Sequence, residues 1–167
     1  MILINKMKYN FELTFEKEIQ DKIQTYADKI NNILSVDKKL EKNPHITLVK
    51  FKTNKEFSNE YREETSSKFS ELKIEFSGLK LLPSKDGGTW VEIRILQSEK
   101  LRKLINDFCD LFTDIKIVSH INDDFRPHLT LCKLKNQTAI SVTKLNYELL
   151  RGKFEVNPRL FITGKVF

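Results

Sequence analysis

Pro44-His45-Ile46-Thr47-Leu48 and Pro127-His128-Leu129-Thr130-Leu131 are one five-residue segment written twice, identical at four positions and conservatively different at the third. An internal repeat narrows the fold before any other argument. Each copy is short, apolar and introduced by proline, which reads as a strand. Side chains alternate faces along a strand. His45 and Thr47 therefore share one face, and Ile46 and Leu48 share the other. The same alternation sets His128 and Thr130 against Leu129 and Leu131. Each strand buries two aliphatics and turns an imidazole and a hydroxyl the opposite way. If the two halves of the chain are related by a pseudo-two-fold, the two His-Thr pairs meet across one cleft.

The flanking pattern supplies the partners such strands need. Upstream, residues 8–15 alternate polar and apolar as a half-buried strand does. Ile19, Ile23, Tyr26, Ile30 and Ile33 then recur at helical spacing, which predicts an amphipathic helix over 16–34. A charged turn, Asp37 to Glu41, leads into the first copy. Thr53 with Glu56 forms a capping-box pattern for a second helix bearing Phe57 and Tyr61. Leu72 to Leu82 and Thr89 to Leu96 read as a hairpin turning at Asp86-Gly87-Gly88. Ser98 is placed to cap a helix carrying Leu101, Leu104, Ile105, Phe108, Leu111 and Phe112. A polar loop, Ser119 to Asp124, precedes the second copy. A helix near Thr138 to Leu150 and a closing strand from Phe154 complete the chain. Strands and helices in this order predict an α+β fold: antiparallel sheets in two pseudo-symmetric lobes around a central cleft, with helices outside.

The 167 residues suit a single domain, 1–167, with an internal duplication. Hydrophobic residues at 40% and charged residues at 31% are globular proportions, not those of a disordered chain. No apolar run reaches the roughly 18–20 residues that cross a bilayer. Met1 to Ile4 is followed at once by Asn5 and Lys6, so no signal-peptide core is expected. Membrane protein, collagen and disulfide-rich secreted scaffold are set aside. Cys109 and Cys132 stand in no CxxC arrangement and read as reduced thiols of a cytoplasmic protein, not as zinc ligands. The formal charge of +6 favours polyanionic partners without specifying one, and the basic residues are scattered.

Two imidazoles facing each other can run general acid–base chemistry near neutral pH, because unperturbed histidine titrates near ~6.5. One takes the proton of an attacking hydroxyl and the other protonates the leaving oxygen. Two threonine hydroxyls can donate to nonbridging phosphate oxygens. The substrate this suits is a phosphodiester with an adjacent ribose hydroxyl. No cofactor is called for, and the sequence offers no dense carboxylate cluster for a metal. A near-symmetric pair does not say which imidazole is the base.

The chain resembles the two-histidine (2H) phosphoesterase superfamily, defined by two His-x-Thr/Ser-hydrophobic motifs. That superfamily includes bacterial 2′-5′ RNA ligase-like proteins, cyclic nucleotide phosphodiesterases and viral 2′-5′ phosphodiesterases. The resemblance spans nearly the whole chain, and Phe125-x-Pro127-His128-Leu129-Thr130-Leu131 looks like the second motif in full. It implies catalytic roles for His45, Thr47, His128 and Thr130, and a bilobal fold with the cleft between lobes. It further implies a metal-independent, monomeric phosphodiesterase acting on a nucleotide or oligonucleotide. The expected substrates are 2′-5′-linked, such as 2′-5′ oligoadenylate or 2′,3′-cGAMP, the immune messengers that small viral and phage relatives degrade. An RNA-end enzyme that opens 2′,3′-cyclic phosphates or ligates 2′-5′ RNA is the enzymatic alternative. A nucleotide- or RNA-binding module with a vestigial site is the other.

Five further residues are candidate substrate contacts. Trp90, Glu92 and Arg94 fall on one face of their strand, where Trp90 could stack on a base and Arg94 could meet a phosphate. Trp90 could equally be hairpin packing. Arg126 alternates in register with His128 and points to the same cleft, or else is a solvated loop residue. Tyr9 and Phe11 either wall the pocket or belong to the core, the second being the more ordinary reading. His120, in a polar loop with Asp123 and Asp124, reads as a surface histidine.

Overall fold

The computed structural model describes residues 7–34, 36–40, 43–53, 63–64, 67–69, 71–110, 116–119, 126–135 and 152–162. The elements are β1 (Met7–Phe15), α1 (Lys17–Ile33), β2 (Val36–Lys38), β3 (Ile46–Thr53), β4 (Lys73–Pro83), β5 (Thr89–Ile95), α2 (Glu99–Asp110), β6 (Lys116–Ser119), β7 (His128–Leu134) and β8 (Lys153–Ile162). No helix among the described residues is long and apolar enough to cross a membrane.

The strands pair antiparallel in the order β2-β7-β5-β4-β8-β1-β3-β6. From either end the order meets a short edge strand, a motif strand, a strand that leads into a helix, and a long strand. The sheet is thus two matching four-stranded lobes, β2-β7-β5-β4 and β6-β3-β1-β8. They meet at β4–β8 and again at a single β3–β7 pair, Ile46 opposite Leu129. Both residues of that pair are completely buried. This is the α+β, two-lobed antiparallel arrangement that the repeated motif predicts.

Periodicity explains the helices. On α1 the buried residues are Ile23, Tyr26, Ala27 and Ile30, spaced three and four apart. On α2 they are Leu101, Ile105 and Phe108. The Ser98 hydroxyl accepts the Leu101 amide at 3.1 Å, which gives that helix its expected cap. Phe108 stacks on Phe11 of β1 with centroids 4.2 Å apart, and Phe69 and Phe51 close the cluster edge-on.

Each motif strand carries a bulge at the same place. The β1–β3 register passes from Phe11↔Val49 to Glu12↔Thr47, leaving Leu48 without a partner. The β5–β7 register passes from Val91↔Cys132 to Glu92↔Thr130, leaving Leu131 likewise. Bulges bend a strand and re-aim its side chains. Here one follows each motif threonine directly.

The structure departs from expectation at two short strands. β2 occupies part of what reads as a charged turn, and β6 precedes the polar loop. Both are three- or four-residue edge strands, too short for a hydrophobic period, and both are held by the backbone of the motif strand beside them. Thr53 ends β3 and is buried. Its capping-box partner Glu56, and Phe57 and Tyr61 of the helix expected to follow, lie outside the described residues, as do His120 and the helix expected near 138–150.

The β4–β5 hairpin is fastened to β7. Gly87 and Gly88 adopt φ of +88° and +79°, the left-handed region that glycine enters without strain. A Cβ on Gly88 would stand 2.4 Å from the Leu134 carbonyl oxygen, so only glycine fits there. Lys133 is buried, and its ammonium donates to both carboxylate oxygens of Asp86 at 2.7 Å. That bond, with a second from the Ser84 hydroxyl, pulls the Asp86 carboxyl down to about 2 from its ordinary 3.8. A carboxyl depressed on folding stabilises fully above its ordinary value, and the contribution fades as pH falls through its folded value. The wild type should therefore lose more stability between pH 4 and 2 than Asp86→Asn, which should already unfold at lower denaturant at pH 7. Urea midpoints across that range, at low salt, check this; parallel curves for the two proteins would remove Asp86 from the account.

Candidate active site

The β3–β7 contact brings both copies of the motif to one cleft of about 200 Å³, lined by His45, Thr47, His128 and Thr130. Pro44 and Pro127, which precede the histidines, are buried, and Pro44 joins the cleft lining. Each ring is held the same way. His45 Nδ1 donates to the Asn43 carbonyl oxygen at 3.0 Å, and His128 Nδ1 donates to the Arg126 carbonyl oxygen at 3.0 Å. In both rings Nε2 is then left as the atom available for proton transfer. The side chains are about a quarter and a third exposed, at 27% for His45 and 35% for His128.

Beneath each imidazole lies a buried glutamate that sequence reasoning gave no role at the site. Glu12 is 1% exposed and Glu92 6%. Glu12 Oε1 is 3.6 Å from His45 Nε2, and Glu92 Oε1 is 3.4 Å from His128 Nε2. The positions are equivalent, because Glu12 is registered with Thr47 and Glu92 with Thr130, each just past the bulge. Burying a carboxylate is costly unless it is paired. Glu12 Oε1 accepts the Asn10 amide at 3.0 Å. Glu92 Oε2 instead lies 3.3 Å from Arg94 Nη2, an ion pair without hydrogen-bond geometry. The signal was present in the sequence as Phe11-Glu12-Leu13 and Val91-Glu92-Ile93, a lone carboxylate flanked by core residues in mid-strand.

The remaining candidates divide. Trp90 lines the cleft, with the Lys133 ammonium over its ring at 5.4 Å from the centroid. Arg94 does not line it. Its guanidinium is spent on Glu92 and, through Nη1, on the Arg126 carbonyl oxygen at 3.2 Å. The Arg126 side chain is exposed and outside the cleft lining; what it brings to the site is its carbonyl. Tyr9 and Phe11 are core residues, not pocket walls. Tyr9 stacks on Phe51 and Phe11 on Phe108, where burying a ring against another ring outweighs exposing it. The cleft gains instead Lys38, Lys39, Leu40 and Asn43, from β2 and the chain that follows it. Lys38, Lys39 and Leu40 lie in the segment that reads as a charged turn, Asp37 to Glu41, because nothing local shows that β2 pairs with β7.

Among the described residues no group of three or more His, Cys, Asp or Glu is gathered as a metal ion would require. Two imidazoles and two threonines stand in matching halves of one cleft. The model of the 2′-5′ RNA ligase superfamily matches residues 15–162, and the chain belongs to that family. No curated protein matches it in sequence. Among solved structures, that of Kluyveromyces marxianus Usb1 with uridine monophosphate is similar at 16% identity and a TM-score of 0.42, over 89% of this chain and 81% of that one.

Cys132 also lines the cleft, and burial pushes its thiol up to about 11. Burial, helped by Asp110, pushes Cys109 up to about 12. The reactive species is the thiolate. Iodoacetamide at pH 8 should therefore leave both thiols of the folded protein unmodified while labelling both in denaturant, as intact mass will show.

Proposed function

We propose that the protein is a metal-independent phosphodiesterase that cleaves 2′-5′-linked nucleotides. The observation that carries this reading is that both motif histidines and both motif threonines line one cleft, on strands of matching register. The vicinal 3′-hydroxyl attacks phosphorus while one imidazole takes its proton. The P–O5′ bond breaks, and the other imidazole protonates the departing 5′-oxygen. The product is a 2′,3′-cyclic phosphate. Thr47 and Thr130 donate to the nonbridging oxygens, where charge builds as the fifth bond forms. Trp90 offers a ring for a base, and Lys39 offers charge to a neighbouring phosphate, which suits 2′-5′ oligoadenylate or a mixed-linkage cyclic dinucleotide such as 2′,3′-cGAMP.

His45→Ala and His128→Ala should each lower kcat by ~10²–10⁴-fold, the usual contribution of one positioned acid or base. Thr47→Ala and Thr130→Ala should each cost less. The double histidine variant should be little worse than either single, since the two act as a unit. Turnover of 2′-5′ oligoadenylate, cyclic dinucleotides and 2′,3′-cyclic mononucleotides, with products resolved by chromatography and EDTA present throughout, measures all of this. Activity that vanishes in EDTA and returns with a divalent ion would replace the mechanism with a metal-assisted one.

The nucleophile has its own test. A 2′-5′ substrate whose 3′-hydroxyl is replaced by hydrogen should bind competitively and remain uncut. Cleavage at the normal rate would mean that water attacks directly.

A further inference from the structure

On the sheet face that carries the motif threonines, the lobe β6-β3-β1-β8 gathers lysines that lie far apart in the sequence. Glu12 is registered with Thr47 and Asn10 with Lys50, two residues along β1, so the bulge at Leu48 keeps Thr47 and Lys50 on one face. Lys52 is next on that face, opposite Lys8 of β1 on one side and Lys116 of β6 on the other. Lysines 8, 50, 52 and 116 thus lead away from Thr47 in two rows, the second spanning roughly 10 Å, two strand spacings. Lys8, Lys50 and Lys116 are exposed and Lys52 is half-buried.

Like charges directly opposite one another destabilise a sheet. Among the described residues none of these four lysines forms an ion pair, whereas Lys17, Lys22, Lys68 and Lys73 each reach a carboxylate at 3.5 Å or closer. The other lobe gives the contrast at the equivalent position. Lys133 stands three residues after Thr130, as Lys50 does after Thr47, but it is buried and bound to Asp86. Edge strands often carry lysine to keep other sheets away. That accounts for Lys116 but not for Lys8, Lys50 and Lys52, which lie on the interior strands β1 and β3.

We propose, resting on the phosphodiesterase reading above, that this lysine face binds the phosphates of the substrate beyond the scissile bond, so that the substrate is a linear single-stranded oligonucleotide. The chain runs from the motifs along β3, past Lys50, to the row Lys8-Lys52-Lys116. Ammonium groups on flexible stems meet phosphates as point charges, so the face reads charge and chain length and not the bases. A cyclic dinucleotide has no chain to continue past Thr47, and a linear dimer ends before the lysines begin. Repulsion among the lysines is relieved when the polyanion arrives.

The test compares a linear 2′-5′ adenylyl dimer with the pentamer, which carries three phosphates besides the scissile one. Each phosphate neutralised on a single strand adds about 0.7 to the slope of log K on log salt, so lowering salt from about 200 to about 50 mM should raise the pentamer-to-dimer ratio of kcat/KM by about fifteenfold. In the quadruple variant Lys8→Gln, Lys50→Gln, Lys52→Gln, Lys116→Gln that ratio should stay flat with salt, and Lys50→Gln alone should remove about 0.7 of the slope. Removing opposed charges should also raise the urea midpoint at low salt, which separates lost binding from lost folding. Anisotropy of a labelled 2′-5′ pentamer of 3′-deoxyadenosine reads binding without turnover. A pentamer bound no more tightly than the dimer, or bound equally by the quadruple variant, overturns the lysine face while leaving the phosphodiesterase reading intact. Binding that depends on length and on the lysines, with no turnover of either substrate, upholds the face and overturns that reading. An oligoglutamate of equal charge that displaces the pentamer at equal concentration would make the face a protein-docking surface and overturn the assignment.

Discussion

Everything in the cleft depends on one backbone contact, the pairing of Ile46 with Leu129 where β3 meets β7. Among the described residues the strands of the two lobes are otherwise hydrogen-bonded along β4 and β8, on the far side of the sheet order from the motifs. With both aliphatics completely buried, the contact is fixed by packing as well as by hydrogen bonding. On either side of it the chain presents a histidine and a threonine. The two His-Thr pairs thus share a cleft through a contact made by two aliphatic residues.

Below the imidazoles, two carboxylates sit among aliphatic and aromatic neighbours. A buried charge is weak evidence for stability and better evidence for a task, because an apolar residue of equal size would usually serve packing as well. The pseudo-symmetry makes the case sharper. The same residue type recurs at the same register position in both lobes, next to the same bulge and at similar distance from the same ring atom. Packing alone has no reason to repeat that arrangement.

Much of this was legible in the sequence, and the limits are physical. The long elements show their periods, so α1, α2, β1, β4, β5 and β7 stand within a residue or two of where patterning puts them. The His-x-Thr strands were legible because alternation on a strand is strict. β2 and β6 were not, because three or four residues carry no period and their partners are remote in sequence. That gap hid Lys38 and Lys39 from the cleft. Tyr9 and Phe11 illustrate the opposite difficulty: strand alternation says that two rings share a face, not which layer lies above it. For Arg94 the face was legible and the partner was not, since Glu92 absorbs the charge that a phosphate was expected to meet.

The chain order strand, helix, short strand, motif strand, long strand runs through twice, and neither run builds a lobe by itself. The first supplies β1 and β3 to one lobe and β2 and β4 to the other; the second does the reverse. The lobes are woven, not strung together. A break in the exposed turn at 84–88 would yield two fragments, each with half the strands of both lobes and one motif, so neither could close a sheet on its own. Mixed together, they would have to find each other before either could fold.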